Sequence, residues 1–71
     1  MDYEECKKQE EKPVKLTLKN GDYFFGTYVF KKADKTTVSF TDRKRKTFPI
    51  LIEIIALIEP VDKIIYIGDF Q

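Results

Sequence analysis

The chain has 71 residues and a formal net charge of +1, with one cysteine and no histidine. We expect a single domain from this length. Without histidine, imidazole metal sites and Ser-His-Asp or Cys-His catalysis are excluded, and one cysteine excludes an intrachain disulfide or a thiolate cluster.

The charge is unevenly distributed along the chain. Residues 1–12 carry five acids and three lysines, and residues 31–46 carry seven bases and two acids, a local charge of +5. Residues 47–71 carry four acids and one lysine, a local charge of −3. A bipolar molecule of this kind can present an anion-attracting face although its overall charge is close to zero.

The sequence gives no sign of a targeting or membrane segment. The first twelve residues are polar, which predicts no signal peptide. The longest apolar run, residues 50–58, is far shorter than the ~20 residues of a membrane span. Because the chain has a single thiol, Cys6, we expect a cytoplasmic protein, in the host cytoplasm if the chain is of phage origin. Cys6 itself is predicted to be a surface thiol.

The N-terminal segment is predicted to be helical. Residues 1–12 contain no β-branched side chain and are rich in Glu, Lys and Gln. Asp2 can cap a helix over these residues, and Pro13 ends it.

Two strands and a tight turn are predicted next. Residues 14–19 alternate apolar and polar side chains, the period of a half-buried strand. Asn20-Gly21 is a strong hairpin signal because tight hairpin turns require positive φ. Residues 23–30 read as a second strand with apolar side chains on both faces. Gly26 within this strand predicts a bulge, a sharp bend or the close approach of another backbone.

A third strand lies between two polar turns. Residues 31–35 are predicted to form the first turn, and residues 36–42 the strand, with Val38 and Phe40 facing inward. Residues 43–46, read as Arg-Lys-Arg-Lys, are predicted to form a solvated basic turn.

The last part of the chain is strongly apolar. Residues 47–59 contain too few polar side chains for a strand with one wet face, so we predict two strands with a tight break near Glu53. Pro49 indicates an edge position or the start of a strand. Residues 64–67 are predicted to be a short last strand or part of an extension over residues 61–71.

Over residues 14–60 the glycines, polar turn residues and apolar side chains follow a recognisable spacing. The positions that define it are Asn20, Gly21, Gly26, Asp34, Thr37, Val38 and the closing segment 54–60. In these positions the chain resembles the Sm-like family, which includes Hfq-type RNA chaperones and the Sm proteins. The resemblance implies an all-β fold, an SH3-like barrel of five strongly bent antiparallel strands with a short N-terminal helix. The implied parts of this single domain are a helix (1–12), a barrel (13–60) and an extension or extra strand (61–71). Other small barrels, SH3-like or Tudor-like, share such spacing and stay open as alternatives.

The uridine pocket of the family is not reproduced. The positions that match this pocket are Asp34, Thr36, Thr37, Ile52 and Glu53. They lack the asparagine and the Arg-Gly pair of Sm proteins, and also the Lys-His pair and stacking aromatic of Hfq. A carboxylate at position 53 repels phosphate. The resemblance therefore implies the fold and the ring assembly, and it does not transfer the uridine pocket.

The apolar run after Pro49 has two interpretations, plain core or core plus a subunit interface. Its candidate interface residues are Ile50, Leu51, Ile52, Ile54, Ile55, Leu57 and Ile58. We favour core plus interface because the run exceeds what one small barrel needs inside, and an uncovered apolar edge promotes aggregation. The resemblance implies that the fourth strand of one copy pairs with the fifth of the next, in a homo-oligomeric ring of about five to seven copies.

The basic residues also have two interpretations, solubility at hairpin tips or contact with phosphates. The candidate phosphate contacts are Lys31, Lys32, Lys35, Arg43, Lys44, Arg45 and Lys46. Aromatic side chains of the second strand are expected mainly in the core or an interface. Tyr66 and Phe70 are further candidates for stacking unpaired bases.

Two functional hypotheses follow. The first is a ring-forming, non-catalytic chaperone or scaffold that binds single-stranded RNA through its basic loops, with little sequence preference. The second is a structural or protein-interaction ring that has lost uridine-specific RNA binding. We expect no enzyme activity, because no positioned acid, base or nucleophile stands out, and no metal or other cofactor.

Overall fold

The computed structural model describes residues 1–31 and 33–67. It consists of one five-stranded antiparallel sheet and a short N-terminal helix, which confirms the predicted β-rich architecture. The elements are α1 (Tyr3–Lys8), β1 (Val14–Leu18), β2 (Tyr23–Phe30), β3 (Thr37–Asp42), β4 (Thr47–Leu51), a 3₁₀ turn (Ile52–Ile54) and β5 (Ile55–Pro60). The strand order is β4-β3-β2-β1-β5.

Most predicted elements are confirmed, and the bounds of the helix are corrected. The bounds of β2 agree with the prediction, and the break near Glu53 is the 3₁₀ turn. The helix spans Tyr3–Lys8 instead of residues 1–12. Residues 61–67 form an extension without strand structure, and the rest of the predicted extension, residues 68–71, lies outside the described residues.

The prediction for Cys6 is wrong, because its side chain is fully buried. Cys6 is the buried residue of α1, which begins with the Asp2 carboxylate accepting from the N–H of Glu5 at 2.9 Å. The hydroxyl of Tyr28 donates to the carbonyl of Cys6, so the helix is anchored to the middle of β2. Burial raises the pKa of the Cys6 thiol, which keeps it protonated and unreactive.

The 3₁₀ turn shows that the sheet is strongly curled. It joins β4 and β5, the two outer strands, with only three residues. In a flat sheet the outer strands lie four spacings apart, ~19 Å, whereas three extended residues span at most ~10 Å. The turn also bonds at both ends: Ile52 N donates to Thr36 O at 2.9 Å, and Lys19 N donates to Ile54 O at 2.8 Å. This geometry is compatible with a small barrel.

The two glycines of the first hairpin have different roles. Gly21 has a φ of +98° and closes a turn in which the Asn20 side chain accepts from the N–H of Asp22 at 2.9 Å. Gly26 faces β3, and a Cβ at this position would lie 1.9 Å from the carbonyl oxygen of Thr41. The close backbone approach is therefore the correct one of the three predicted roles of Gly26.

The core fills the concave side of the curled sheet. Its fully or nearly fully buried residues are Cys6, Val14, Leu16, Tyr28, Val38, Phe40, Ile50, Ile52 and Ile55. Beside it, the rings of Phe24, Phe40 and Phe48 pack with centroid distances between 5.4 and 6.0 Å. These aromatic contacts tie β2, β3 and β4 together.

The segment between α1 and the start of β1 completes the hydrogen bonds of β2. Glu11 N donates to Tyr28 O at 2.8 Å, and Phe30 N donates to Glu10 Oε2 at 2.8 Å. The other oxygen of Glu10 accepts from the Lys7 ammonium. These two contacts, the ion pair first and the backbone N–H second, lower the pKa of Glu10.

Gly26→Ala is expected to lower the free energy of unfolding by about 3 kcal/mol or more, because the added methyl overlaps the Thr41 carbonyl and cannot be accommodated without separating β2 from β3. Urea denaturation measures the loss. Gly21→Ala is the matched control: its site is open but its φ is positive, so we expect a loss of about 1 kcal/mol. Equal losses in the two variants would contradict the close approach at Gly26.

Glu10→Gln is expected to destabilise the fold at neutral pH and to have little effect in acid. A lowered pKa in the folded state means that the ionised carboxylate adds stability above its ordinary pKa of 4.5, and that this stability is lost as the pH falls through the folded-state value. Denaturation at pH 7 and near pH 3 measures the difference between wild type and variant. Glu4→Gln, at an exposed position in α1, is the control. A difference that persists unchanged in acid would rule out the ionic contribution.

Candidate nucleic-acid interface

The structure divides the predicted basic residues into two groups at opposite ends of β3. Lys31 and Lys35 belong to the turn between β2 and β3, and residues 43–46 form the turn between β3 and β4. Lys32 lies outside the described residues. The six residues of β3 separate the two turns by ~17–20 Å. One copy of the chain therefore presents two separate basic patches rather than one continuous face.

The basic turn, residues 43–46, is held by Asp42. One carboxylate oxygen of Asp42 accepts from the N–H of Lys44 at 2.9 Å and from the N–H of Lys46 at 3.0 Å. Arg45 N donates to the carbonyl of Asp42 at 3.0 Å. The turn is thus fixed by its own preceding residue, as expected for an aspartate at a hairpin tip.

Arg45 adopts a backbone conformation that glycine favours. Its φ is +63°, and it occupies the third position of its four-residue turn, as Gly21 does in the first hairpin. A left-handed conformation costs a non-glycine residue about 1–2 kcal/mol. The chain therefore keeps an arginine side chain at a position where the backbone alone favours glycine.

The extension packs against the basic turn. We call its described residues, 61–67, the C-terminal strap. Arg43 Nε donates to Ile65 O at 3.0 Å, and Ile67 N donates to Arg43 O at 2.8 Å. The Arg45 guanidinium carbon lies 4.3 Å from the centroid of the Tyr66 ring. Sequence reasoning named Tyr66 as a free stacking candidate and missed this contact.

The four basic side chains of the turn consequently have different surroundings. Arg43 is half-buried, with its guanidinium carbon 5.9 Å from the Phe25 ring centroid, and Arg45 stacks on the strap. Lys44 and Lys46 are exposed to solvent. Of these four, Arg43 and Lys44 line a shallow cleft of about 310 Å³ together with Tyr23, Phe25 and Ile67. Basic groups next to aromatic rings are suited to phosphates with unpaired bases. Phe70, the other proposed stacking residue, lies outside the described residues.

The positions that match the uridine pocket are brought together at the other end of β3. Ile52 N donates to Thr36 O, and Thr37 pairs with Leu51 across β3 and β4. Ile52 is nearly buried, however, and Glu53 is exposed. The site therefore presents a carboxylate and hydroxyl groups, without the base-reading side chains of the family.

Asp34 is used by its own turn. Its carboxylate accepts from the N–H of Thr36 at 2.8 Å and from the Thr36 hydroxyl at 2.9 Å, and these bonds lower its pKa. Sequence reasoning missed that Tyr3 of the helix reaches this end, with its ring 5.2 Å from the Lys35 ammonium. No local pattern shows that contact, since the two residues are distant in sequence.

The predicted interface residues divide between the core and the surface. Ile50, Ile52 and Ile55 are buried within the single chain. Leu51, Ile54 and Leu57 are 46%, 41% and 47% exposed, and Ile58 is half-buried. The exposed residues lie on the two outer strands and the turn between them, so they lie beside backbone groups that can pair with another chain.

Backbone alternation identifies the outward groups of β4. Ile52 N donates to Thr36 O, just beyond the end of β4. In an antiparallel pair every second residue bonds to the partner strand, so Ile50 and Phe48 also direct their backbone groups toward β3. Thr47, Pro49 and Leu51 therefore turn their backbone groups away from the sheet. Pro49, which lacks an N–H, lies where no ladder bond is lost, as predicted for an edge position.

The same alternation applies to β5. Val61 N donates to Pro13 O at 3.0 Å, so the residues two and four positions earlier bond to β1. The backbone groups of Ile58 and Pro60 then face away from β1, toward the open side of β5. Each outer strand thus has a proline on its open side, and each still offers carbonyls and N–H groups beside exposed apolar side chains.

Other classes of site find no support in the described part of the chain. Residues 1–31 and 33–67 contain no cluster of three His, Cys, Asp or Glu side chains arranged for a metal ion. Within the same residues no helix is long and apolar enough to cross a membrane. No family model, curated protein or solved structure matches the chain.

Proposed function

We propose that this chain is a ring-forming protein of the Sm-like type that binds single-stranded RNA with little base preference, as a non-catalytic chaperone or scaffold. The observation that carries the proposal is the pair of open sheet edges, β4 and β5, at the two ends of one curled sheet. Because the two edges differ, pairing one with the other gives a heterologous contact between copies, and heterologous contacts form a ring where the rotation between copies closes.

The side chains along these edges support assembly. Leu51, Ile54 and Leu57 are each more than two-fifths exposed. Open edges beside apolar side chains pair with other chains unless they are covered. Pairing β4 of one copy with β5 of the next would satisfy the outward backbone groups and remove these side chains from water.

RNA binding is supported by the basic turn. Lys44 and Lys46 are exposed on a turn fixed by Asp42. A ring repeats this turn once per copy, so the weak attraction of one turn becomes an extended basic zone. Exposed lysines recognise phosphate as point charges and carry no base information, which predicts binding of oligo-U and oligo-A alike.

Leu51→Lys and Leu57→Lys are each expected to convert the ring to monomers, because a charge in the buried contact is left without a partner. Light scattering coupled to size-exclusion chromatography measures the mass against the 8.4 kDa of one copy. Val29→Lys is the matched control: Val29 is 41% exposed, but it lies on the central strand β2. A wild-type protein that is monomeric at working concentration would refute the ring.

Lys44→Gln/Lys46→Gln is expected to weaken binding of oligo-U and oligo-A equally and to reduce its salt dependence. Each lost phosphate contact lowers the slope of log K against log salt by about 0.7, or about 1.4 per binding copy for two. Fluorescence anisotropy with labelled oligonucleotides at several salt concentrations measures both effects. Lys8→Gln/Lys12→Gln removes the same charge from the exposed N-terminal region and is the control. Salt-insensitive binding, or no binding to either oligonucleotide at low salt, would refute the RNA proposal.

A second candidate function is a protein-interaction ring without RNA. It is favoured by Glu53, an exposed carboxylate at the position that matches the uridine pocket. The engagement of Arg43 and Arg45 by the strap also favours it. A ring of unchanged mass that binds neither oligonucleotide at low salt would select this candidate over the first.

A further inference from the structure

We propose that the Arg45–Tyr66 stack is a base-stacking site occupied by the chain itself, and that an unpaired nucleobase replaces Tyr66 when RNA binds. The inference rests on the proposed RNA-binding function and adds the kind of ligand and the competition for it. The ligand is a nucleobase with its flanking phosphates.

The distance between Arg45 and Tyr66 is one at which a nucleobase could also stack on the guanidinium. The guanidinium carbon of Arg45 lies 4.3 Å from the Tyr66 ring centroid, a contact distance for a cation above an aromatic ring. A guanidinium plane stacks equally well on the ring of a base, and such stacking is tolerant of sequence because every base has a π-face. Tyr66 therefore occupies the place that a base would take.

Arg45 lies at a constrained backbone position. Its φ is +63°, and it lies at the loop position that Gly21 holds in the other hairpin. An outlier of this type is maintained by surrounding contacts, here the bonds from Asp42 to the turn. The Arg45 side chain is thus presented on a fixed turn instead of a mobile one.

The strap is held to the turn without strand pairing. Its described contacts with the turn include two hydrogen bonds to Arg43, and it adds no strand to the sheet. Ile65 and Ile67 are 65% and 52% exposed, and the other three apolar residues of the strap are half-buried, so much of its apolar surface stays in water. Segments with few buried contacts are the first to open in a folded protein.

The neighbouring lysines complete the site. Lys44 and Lys46 flank Arg45 in sequence and are exposed. A base on Arg45 would bring its own phosphates to these ammonium groups, whereas Tyr66 brings no negative charge. RNA therefore brings phosphates to these ammonium groups, and low salt strengthens this attraction and favours the exchange.

Tyr66→Ala tests the competition directly. Removing the ring that RNA must displace is expected to tighten binding of oligo-U and oligo-A by about two- to fivefold, the worth of one exposed cation–π contact. Anisotropy at low salt measures the affinity. Tyr66→Phe is the matched control, since it keeps the aromatic ring that occupies the Arg45 guanidinium. It is expected to show no gain.

A second measurement uses the wild-type protein alone. The amide of Ile67 donates to Arg43 O, so its hydrogen exchange reports whether the strap is in place. Saturating oligonucleotide is expected to accelerate this exchange, while the amide of Leu18, which donates to Asp22 O in the distant first hairpin, stays protected. Faster exchange at Ile67 together with a tighter Tyr66→Ala complex supports the inference.

The outcomes separate this inference from the proposed function. If wild type binds RNA and Tyr66→Ala binds equally or more weakly, the competition is refuted while RNA binding stands. If wild type binds RNA and the Ile67 amide stays protected, the strap is not displaced and the inference is refuted. If neither wild type nor Tyr66→Ala binds at low salt, the RNA-binding function fails, and this inference fails with it.

Discussion

The short connection between β4 and β5 is the constraint on which the rest of the structure depends. Three residues, Ile52–Ile54, join strands at opposite edges of a five-stranded sheet, and their backbone bonds to Thr36 and Lys19 hold two hairpin turns together. The sheet must curl to allow this. Curling brings β2 and β3 so close at Gly26 that no side chain fits there, and it creates the concave side that holds Tyr28 and the core. In the described part of the chain the outer sides of both edge strands stay open, and the proposed assembly would cover them.

Much of this architecture is encoded locally. The alternation in residues 14–19, the Asn20-Gly21 turn and the break at Glu53 each depend on neighbours in sequence, and each is found where the pattern predicts it. Positive φ at Gly21 and the outward position of Pro49 follow from properties of single residues. Gly26 was informative but ambiguous. A glycine in a strand indicates that something is close or bent, and only the register with β3 shows which.

The contacts that sequence reasoning missed are all long-range. Cys6 packs in the core, and Tyr28, twenty-two residues away, bonds to its carbonyl; nothing in the polar segment around Cys6 indicates that partner. The strap reaches the basic turn through bonds between Arg43 and Ile65, also twenty-two residues apart. Charge counting has the same limit. Residues 31–46 carry a net charge of +5, but β3 separates their basic side chains into two groups. The net charge of the segment therefore does not describe the charge of one surface.

The basic turn shows why residue type matters more than charge at such a site. Arginine is planar, weakly hydrated and able to donate in several directions, so Arg43 and Arg45 can pack against Phe25, Tyr66 and the strap carbonyl while they keep their charge. Lysine holds a compact, strongly hydrated charge, and Lys44 and Lys46 accordingly stay in water. The four charges are therefore not equivalent toward phosphate. In the proposed function the lysines would attract phosphate at long range, whereas the arginines would engage RNA only at the expense of contacts within the chain. Such a turn would attract any polyanion, but only a strand with unpaired bases would use its stacking surface.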